Sequence, residues 1–300
     1  MKPSKIVQLL STMVAVLALI AAGAGLFWPN DGAPFTFVSI HGDPVAVYGQ
    51  GLYAADSVMK SGATRGTDLV TIVLAVPLLV IALLTYRRGS PRGALLLAGV
   101  LTFFLYVYAN NAVSVAYNQL FLLYVALFSL SFFALFQMIG VLQSIAARFP
   151  ADVPYCGIGV FLMVCGLLTG YVWLEPIVGA MLRGARPELL DNYATMVTEA
   201  IDLALIVPGC LLAGVMLFRR DVRGVAIAVP LLVLLLLVGP AVAAATWLQL
   251  ADGIVFTVPQ IAGPIGGFLV LGLIDIWVLD VVLRAAGQRI KGDLERDPVK

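Results

Sequence analysis

What this sequence has little of decides its class. Only 12% of its residues are charged, about half the ~25% of a soluble domain. It has a single histidine, His41, which excludes heme held between histidines inside a membrane. His41 and Asp43 are also too sparse a donor set for a metal site. The three cysteines, Cys156, Cys165 and Cys210, form no C-x-x-C pair. That excludes a thiol redox motif and a disulfide framework, and leaves them as small apolar-like residues. No H-E-x-x-H, G-x-S-x-G or Walker A pattern is present, so no cofactor is expected and the reading leans away from an enzyme. No basic run is long enough to suggest a nucleic-acid partner.

What is there is apolar sequence. The chain of 300 residues is 61% hydrophobic, with a mean hydropathy of +1.02. Apolar stretches recur at about 20 residues, the length a helix needs to cross a ~30 Å hydrocarbon core. Irregular backbone cannot face lipid, so these stretches are helices. The first runs from about Lys5 to Phe27. It is too long for the apolar core of a signal peptide and reads as a retained span. Seven more are expected near 68–86, 93–112, 118–147, 155–182, 196–218, 224–248 and 259–284. Pro230 and the Gly239-Pro240 pair are expected to kink the seventh. Gly263 and Gly267, four apart, are expected to permit close helix contact in the eighth.

Residues 28–66 make the longest connection. Phe35–Ile40 and Val45–Tyr48 are β-prone runs around the turn-rich His41-Gly42-Asp43-Pro44, which predicts a hairpin. Leu52–Lys60 reads as a short surface helix, with Gly62 and Gly66 breaking the chain before the second span.

Lys and Arg set the orientation. With the N-terminus inside, fourteen basic residues fall on the cytoplasmic side: Lys2, Lys5, Arg87, Arg88, Arg92, Arg148, Arg219, Arg220, Arg223, Arg284, Arg289, Lys291, Arg296 and Lys300. Only four, Lys60, Arg65, Arg183 and Arg186, fall outside. Both termini are therefore expected in the cytoplasm of a cell that holds the chain in its inner membrane. Ten acids (Asp31, Asp43, Asp56, Asp68, Glu175, Glu188, Asp191, Glu199, Asp202 and Asp252) fall at or just below the outer side, where they would concentrate cations.

A shift of 131 positions lays Thr67-Asp68 on Thr198-Glu199, Pro77 on Pro208, Arg88 on Arg219, Arg92 on Arg223 and Gly93 on Gly224. Eight of the 27 positions from 67 to 93 are identical. At another offset, Gly25 and Trp28 fall on Gly170 and Trp173. The expected fold is an all-α polytopic membrane protein of two parallel four-helix repeats about an axis along the membrane normal. Residues 1–150 form the first repeat with its loop, 151–287 the second, and 288–300 a cytoplasmic tail.

Asp275 is the most informative residue. It stands nine residues before Arg284, ~14 Å along a helix, close to mid-membrane. A carboxylate there costs several kcal/mol unless paired, protonated or hydrated, and is a functional candidate. Asp280 is expected to pair with Arg284 at i+4. Glu199 and Asp202 share a helix face, and Asp68 takes the place of Glu199 in the other half. For Asp68 and Glu199 the plain alternative is an acid at a helix N-terminus, with Thr67 and Thr198 as caps. The four acids Asp275, Asp202, Glu199 and Asp68 are the candidate ion or proton site. Tyr117, Phe121, Tyr124, Phe128, Phe132 and Phe136 trace a helical stripe. Tyr117, Phe121 and Tyr124, with Asn118, are the candidate ligand lining. Gln137 is expected to be buried and to need a partner.

Connections such as RRGSPRG, RFPADVP and RRDVRG leave no room for a nucleotide-binding or output domain. The leading expectation is transporter-like, cation- or proton-coupled passage of a small molecule between the two halves. A membrane subunit that binds a protein partner through its outer loop comes second, and an intramembrane enzyme third.

Overall fold

The computed structural model describes residues 2–29 and 31–296, with side chains described to Gly287 except those of Pro259 and Pro264. The end of the expected tail, 297–300, lies outside the described residues. Among the described residues, eight helices are long and apolar enough to cross a membrane. They are α1 (Lys5–Phe27), α2 (Val58–Arg87), α3 (Pro91–Ser114), α4 (Phe121–Ala146), α5 (Tyr155–Leu182), α6 (Val197–Phe218), α7 (Val225–Ala251) and α8 (Val258–Arg296). Their outward faces carry bare Leu, Ile, Val and Phe, as on α1, α4, α5 and α8. Water would not tolerate such faces and lipid does. The chain is a multi-pass integral membrane protein in contact with the bilayer.

Between α1 and α2, β1 (Phe35–Val38) pairs antiparallel with β2 (Pro44–Val47), Phe35 opposite Val47 and Val38 opposite Pro44. The turn closes on Gly42 at φ 89. The hairpin marks one end of the bundle, and Arg87, Arg88, Arg219, Arg220 and Arg284 follow the helices to the other.

The second span begins earlier than expected. Ser57 caps it, its hydroxyl accepting from the Lys60 amide at 3.1 Å, and the helix runs through Gly62 and Gly66 without a break. Both glycines serve close packing instead. A Cβ at Gly66 would overlap the Ala245 backbone of α7, and one at Gly62 would overlap Gln249. Thr67 is thus no cap; its hydroxyl donates to the Ala63 carbonyl inside the helix. Thr198 instead donates to Asn110 Oδ1 of α3 at 2.8 Å. Gly263 and Gly267 also depart from expectation, since nothing lies within 4 Å of a Cβ at either.

Each of α2 and α6 contains one π turn, Thr71–Ala75 and Asp202–Ile206. Helix α1 packs on α2 and α4, and α3 on α2 and α4, closing a ring of four. Helix α7 packs on α2 and α3, and α5 packs on α6. Helix α8 lies against α7 and α3, and among the described residues it has no comparable packing with α5. The densest core sits on α3, where Leu97, Ala98, Val100, Leu101 and Phe104 have no exposed surface.

Candidate functional site

Helix α8 turns a single stripe toward the bundle: Asp275, Val278, Leu279, Val282 and Ala285. The spacing of three and four is that of one helix face, and Asp275 leads it. Its neighbours Leu273, Ile274, Ile276 and Trp277 point outward. Asp275 is 2% exposed, and its Oδ1 has no hydrogen-bond partner. No described base pairs with it. The next acid on the helix behaves differently: Asp280 pairs with Arg284 at 2.9 Å on the surface.

Cys210 of α6 lies within electrostatic range of both Asp275 and Asp202, and Cys165 of α5 within range of Asp275. Asp202 is 8% exposed and accepts from the Trp173 indole N–H at 2.8 Å. The Tyr106 hydroxyl and Glu199 stand beside it. Asp202 and Glu199 therefore sit together on α6, and among the described residues no hydrogen bond or ion pair joins either of them to Asp275.

Asp68 is elsewhere. It sits inside the α1–α4 ring, 2% exposed, and accepts a hydrogen bond from the Tyr53 hydroxyl at 2.6 Å. Its position in mid-helix overturns the reading of an acid at a helix N-terminus. Burial first, and then the Asp68 charge, hold the Tyr53 phenol well above its ordinary range, so Tyr53 remains a proton donor. Gly25 faces this pair across α1, where a Cβ would overlap the carboxylate.

The four residues of the candidate ligand lining do not share a face. Tyr117 is 83% exposed and Phe121 turns outward, while Tyr124 and Asn118 are buried. The cause is local: the helix starts at Phe121, so Tyr117 and Asn118 precede the helical spacing that the stripe assumed. Phe132 and Phe136 also face outward, stacked at 6.4 Å. Gln137 is exposed rather than buried.

Sequence reasoning missed Tyr53 and Trp173 as partners of the acids. Trp173 did carry a signal, its alignment with Trp28. It also missed a cavity of about 90 Å³ at the hairpin end, lined by Gly25, Trp28, Tyr48, Gln50, Tyr53 and Arg65. The Arg65 guanidinium lies over the Tyr48 ring at 4.3 Å and pairs with Asp252. Among the described residues, no three His, Cys, Asp or Glu side chains gather as a metal centre. No family model matches the chain, and neither a curated protein nor a solved structure is significantly similar to it.

Proposed function

We propose that this protein is a proton-coupled transporter of the cell membrane, with both termini cytoplasmic and the hairpin outside. Asp275 is its proton-bearing group. The observation that carries the reading is a carboxyl buried halfway along a span with no partner. Such a group persists in lipid only if it is neutral or transiently hydrated, and either state serves proton exchange. Asp202 and Glu199 give a route to it from the outer side, along the α6 face that holds Cys210. The orientation rests on the fourteen-to-four division of basic residues.

Internal duplication belongs to the same reading. The π turns start 131 residues apart, at Thr71 and Asp202. The helical segments after them, Val76–Arg87 and Val207–Phe218, keep that offset at both ends. So do the closing turns: Gly89 and Arg220 both take positive φ, at 75 and 59. Two four-helix units of one origin account for these coincidences.

The test uses proteoliposomes loaded with a pH-sensitive dye, given an inward proton gradient and offered pools of amino acids, sugars, organic acids and organic cations. One pool should speed acidification with the wild type and not with Asp275→Asn. Equal rates in the two proteins would remove Asp275 from the mechanism.

A second reading has its own observation. Strand β1 leaves one edge unpaired, and Phe35, Phe37, Val38 and Ile40 are exposed beside it, a surface on which a partner's strand can add. Co-purification of a partner with the wild type, lost on deletion of 35–48, would favour a membrane subunit over a transporter.

A further inference from the structure

We infer that Asp68 is a second proton-exchange site, loaded and unloaded through the Tyr53 hydroxyl from the cavity at the hairpin end. At rest Asp68 carries its proton. It is 2% exposed, and an ionised carboxyl so buried needs a cation held against it. The base whose charge reaches it is Arg65, and that guanidinium is engaged elsewhere: by Asp252, by the Ser61 carbonyl at 3.4 Å and by the Tyr48 ring. No described ion pair includes Asp68.

The proton has one short way out. The Tyr53 oxygen stands 2.6 Å from Asp68 Oδ2, within the reach of direct proton transfer. Gly25 makes room for the pair. A Cβ there would overlap the carboxylate and lie 2.7 Å from the Tyr53 hydroxyl. Gly25 and Tyr53 both line the 90 Å³ cavity, which has space for about three waters. Tyr53 thus joins a buried acid to a space that water can fill.

On release, the Asp68 O–H bond breaks and its proton joins the Tyr53 oxygen. The proton that Tyr53 held passes to a cavity water. A carboxylate, a neutral phenol and a hydronium ion result, and the carboxylate then accepts from the Tyr53 hydroxyl. One pair of oxygens serves both charge states, and reloading runs the step backward. Burial holds the Tyr53 phenol well above its ordinary range, so it relays the proton without staying ionised.

The other groups around Asp68 offer no rival path. Tyr108 of α3 and Tyr124 of α4 lie within electrostatic range of it. Neither hydroxyl has a hydrogen-bond partner, and neither residue lines the cavity. Helix α7, packed on α2, carries no titratable side chain. Helix α1 carries only Lys5, at its opposite end from Gly25.

Infrared difference spectroscopy of the full-length protein in liposomes tests the site. The C=O stretch of a protonated carboxyl stands clear of the amide bands. It moves to lower frequency when O–H becomes O–D, which requires that bond to break. The difference between wild type and Asp68→Asn should contain this band at neutral pH, and the band should move after transfer to heavy water. Tyr53→Phe should keep the band, raise its frequency for want of the hydrogen bond, and slow its deuteration about tenfold or more. No Asp68 band at neutral pH overturns the site, and wild-type deuteration in Tyr53→Phe overturns the route. Should Asp68→Asn fail to fold, Tyr53→Phe carries the test alone: carboxyl bands that neither shift nor slow overturn the proposal. The readout needs no transport and is unaffected by Asp275→Asn, so failure here and failure of Asp275 are distinguishable.

Discussion

The Tyr193 hydroxyl donates to the Asp56 carboxylate at 2.7 Å, joining two connections 137 residues apart. Asp56 precedes α2 and is fully buried; Tyr193 lies between α5 and α6. The same contact is reinforced twice. His41 Nε2 bonds the Tyr193 carbonyl at 2.9 Å, and Arg186 donates to the His41 carbonyl at 2.6 Å. The hairpin is thereby fastened to the loop that enters α6, directly above Glu199 and Asp202.

Tyr193→Phe should loosen this clasp and little else. It removes a hydrogen bond to a buried carboxylate whose other oxygen already lacks a partner, a loss of about 1–3 kcal/mol. Hydrogen exchange should quicken in 35–57 and 185–196 while the spans stay protected. Unchanged exchange in both loops would show that the bond holds nothing.

The clasp should also depend on pH. Burial raises the Asp56 carboxyl above its ordinary value, against the opposing hydrogen bonds from Ala116 and Tyr193 and the Lys60 charge. A raised folded value means that the folded protein holds the proton more tightly than the unfolded chain. The stabilisation is therefore fullest below about pH 3.9, the unfolded carboxylate value. It declines as pH rises through the raised folded value. Asp56→Asn should flatten that slope in loop exchange measured against pH, and should leave the loops at least as protected at neutral pH. A slope that persists in the variant would assign it to another group.

Arg220 supplies a stability test of the helix ends. It sits at φ 59, where its counterpart Gly89 sits at φ 75. In both turns the next residue bonds back to a carbonyl five residues earlier, Ser90 to Thr85 and Asp221 to Met216. A side chain in this left-handed region costs about 1–2 kcal/mol that glycine does not incur. Arg220→Gly should raise the melting temperature in detergent, by a gain of about 1 kcal/mol after glycine's own entropy cost. A lower melting temperature would mean that the Arg220 side chain contributes more than its backbone loses.

The spans were legible because lipid imposes length: eight apolar runs became eight helices. The hairpin was legible from its turn residues, and Asp280–Arg284 from i,i+4 spacing. What was hidden is what depends on tertiary approach. Gly62 and Gly66 read as breakers because glycine weakens an isolated helix; only α7 passing over them reveals close packing. Thr67 read as a cap because the polar stretch before it hid a helix start at Val58. Tyr53 lies in a loop whose path no periodicity describes, so its bond to Asp68 left no trace in spacing.

Asp275 allows a measurement that needs no substrate. N,N′-dicyclohexylcarbodiimide partitions into membranes and reacts with protonated carboxyls in apolar surroundings. Applied to the intact protein in liposomes and followed by peptide mass spectrometry, it should modify Asp275 at neutral pH and leave the surface pair partner Asp280 unmodified. No modification of Asp275 at any pH at which the bundle stays folded would contradict a proton-bearing carboxyl at the centre of this protein.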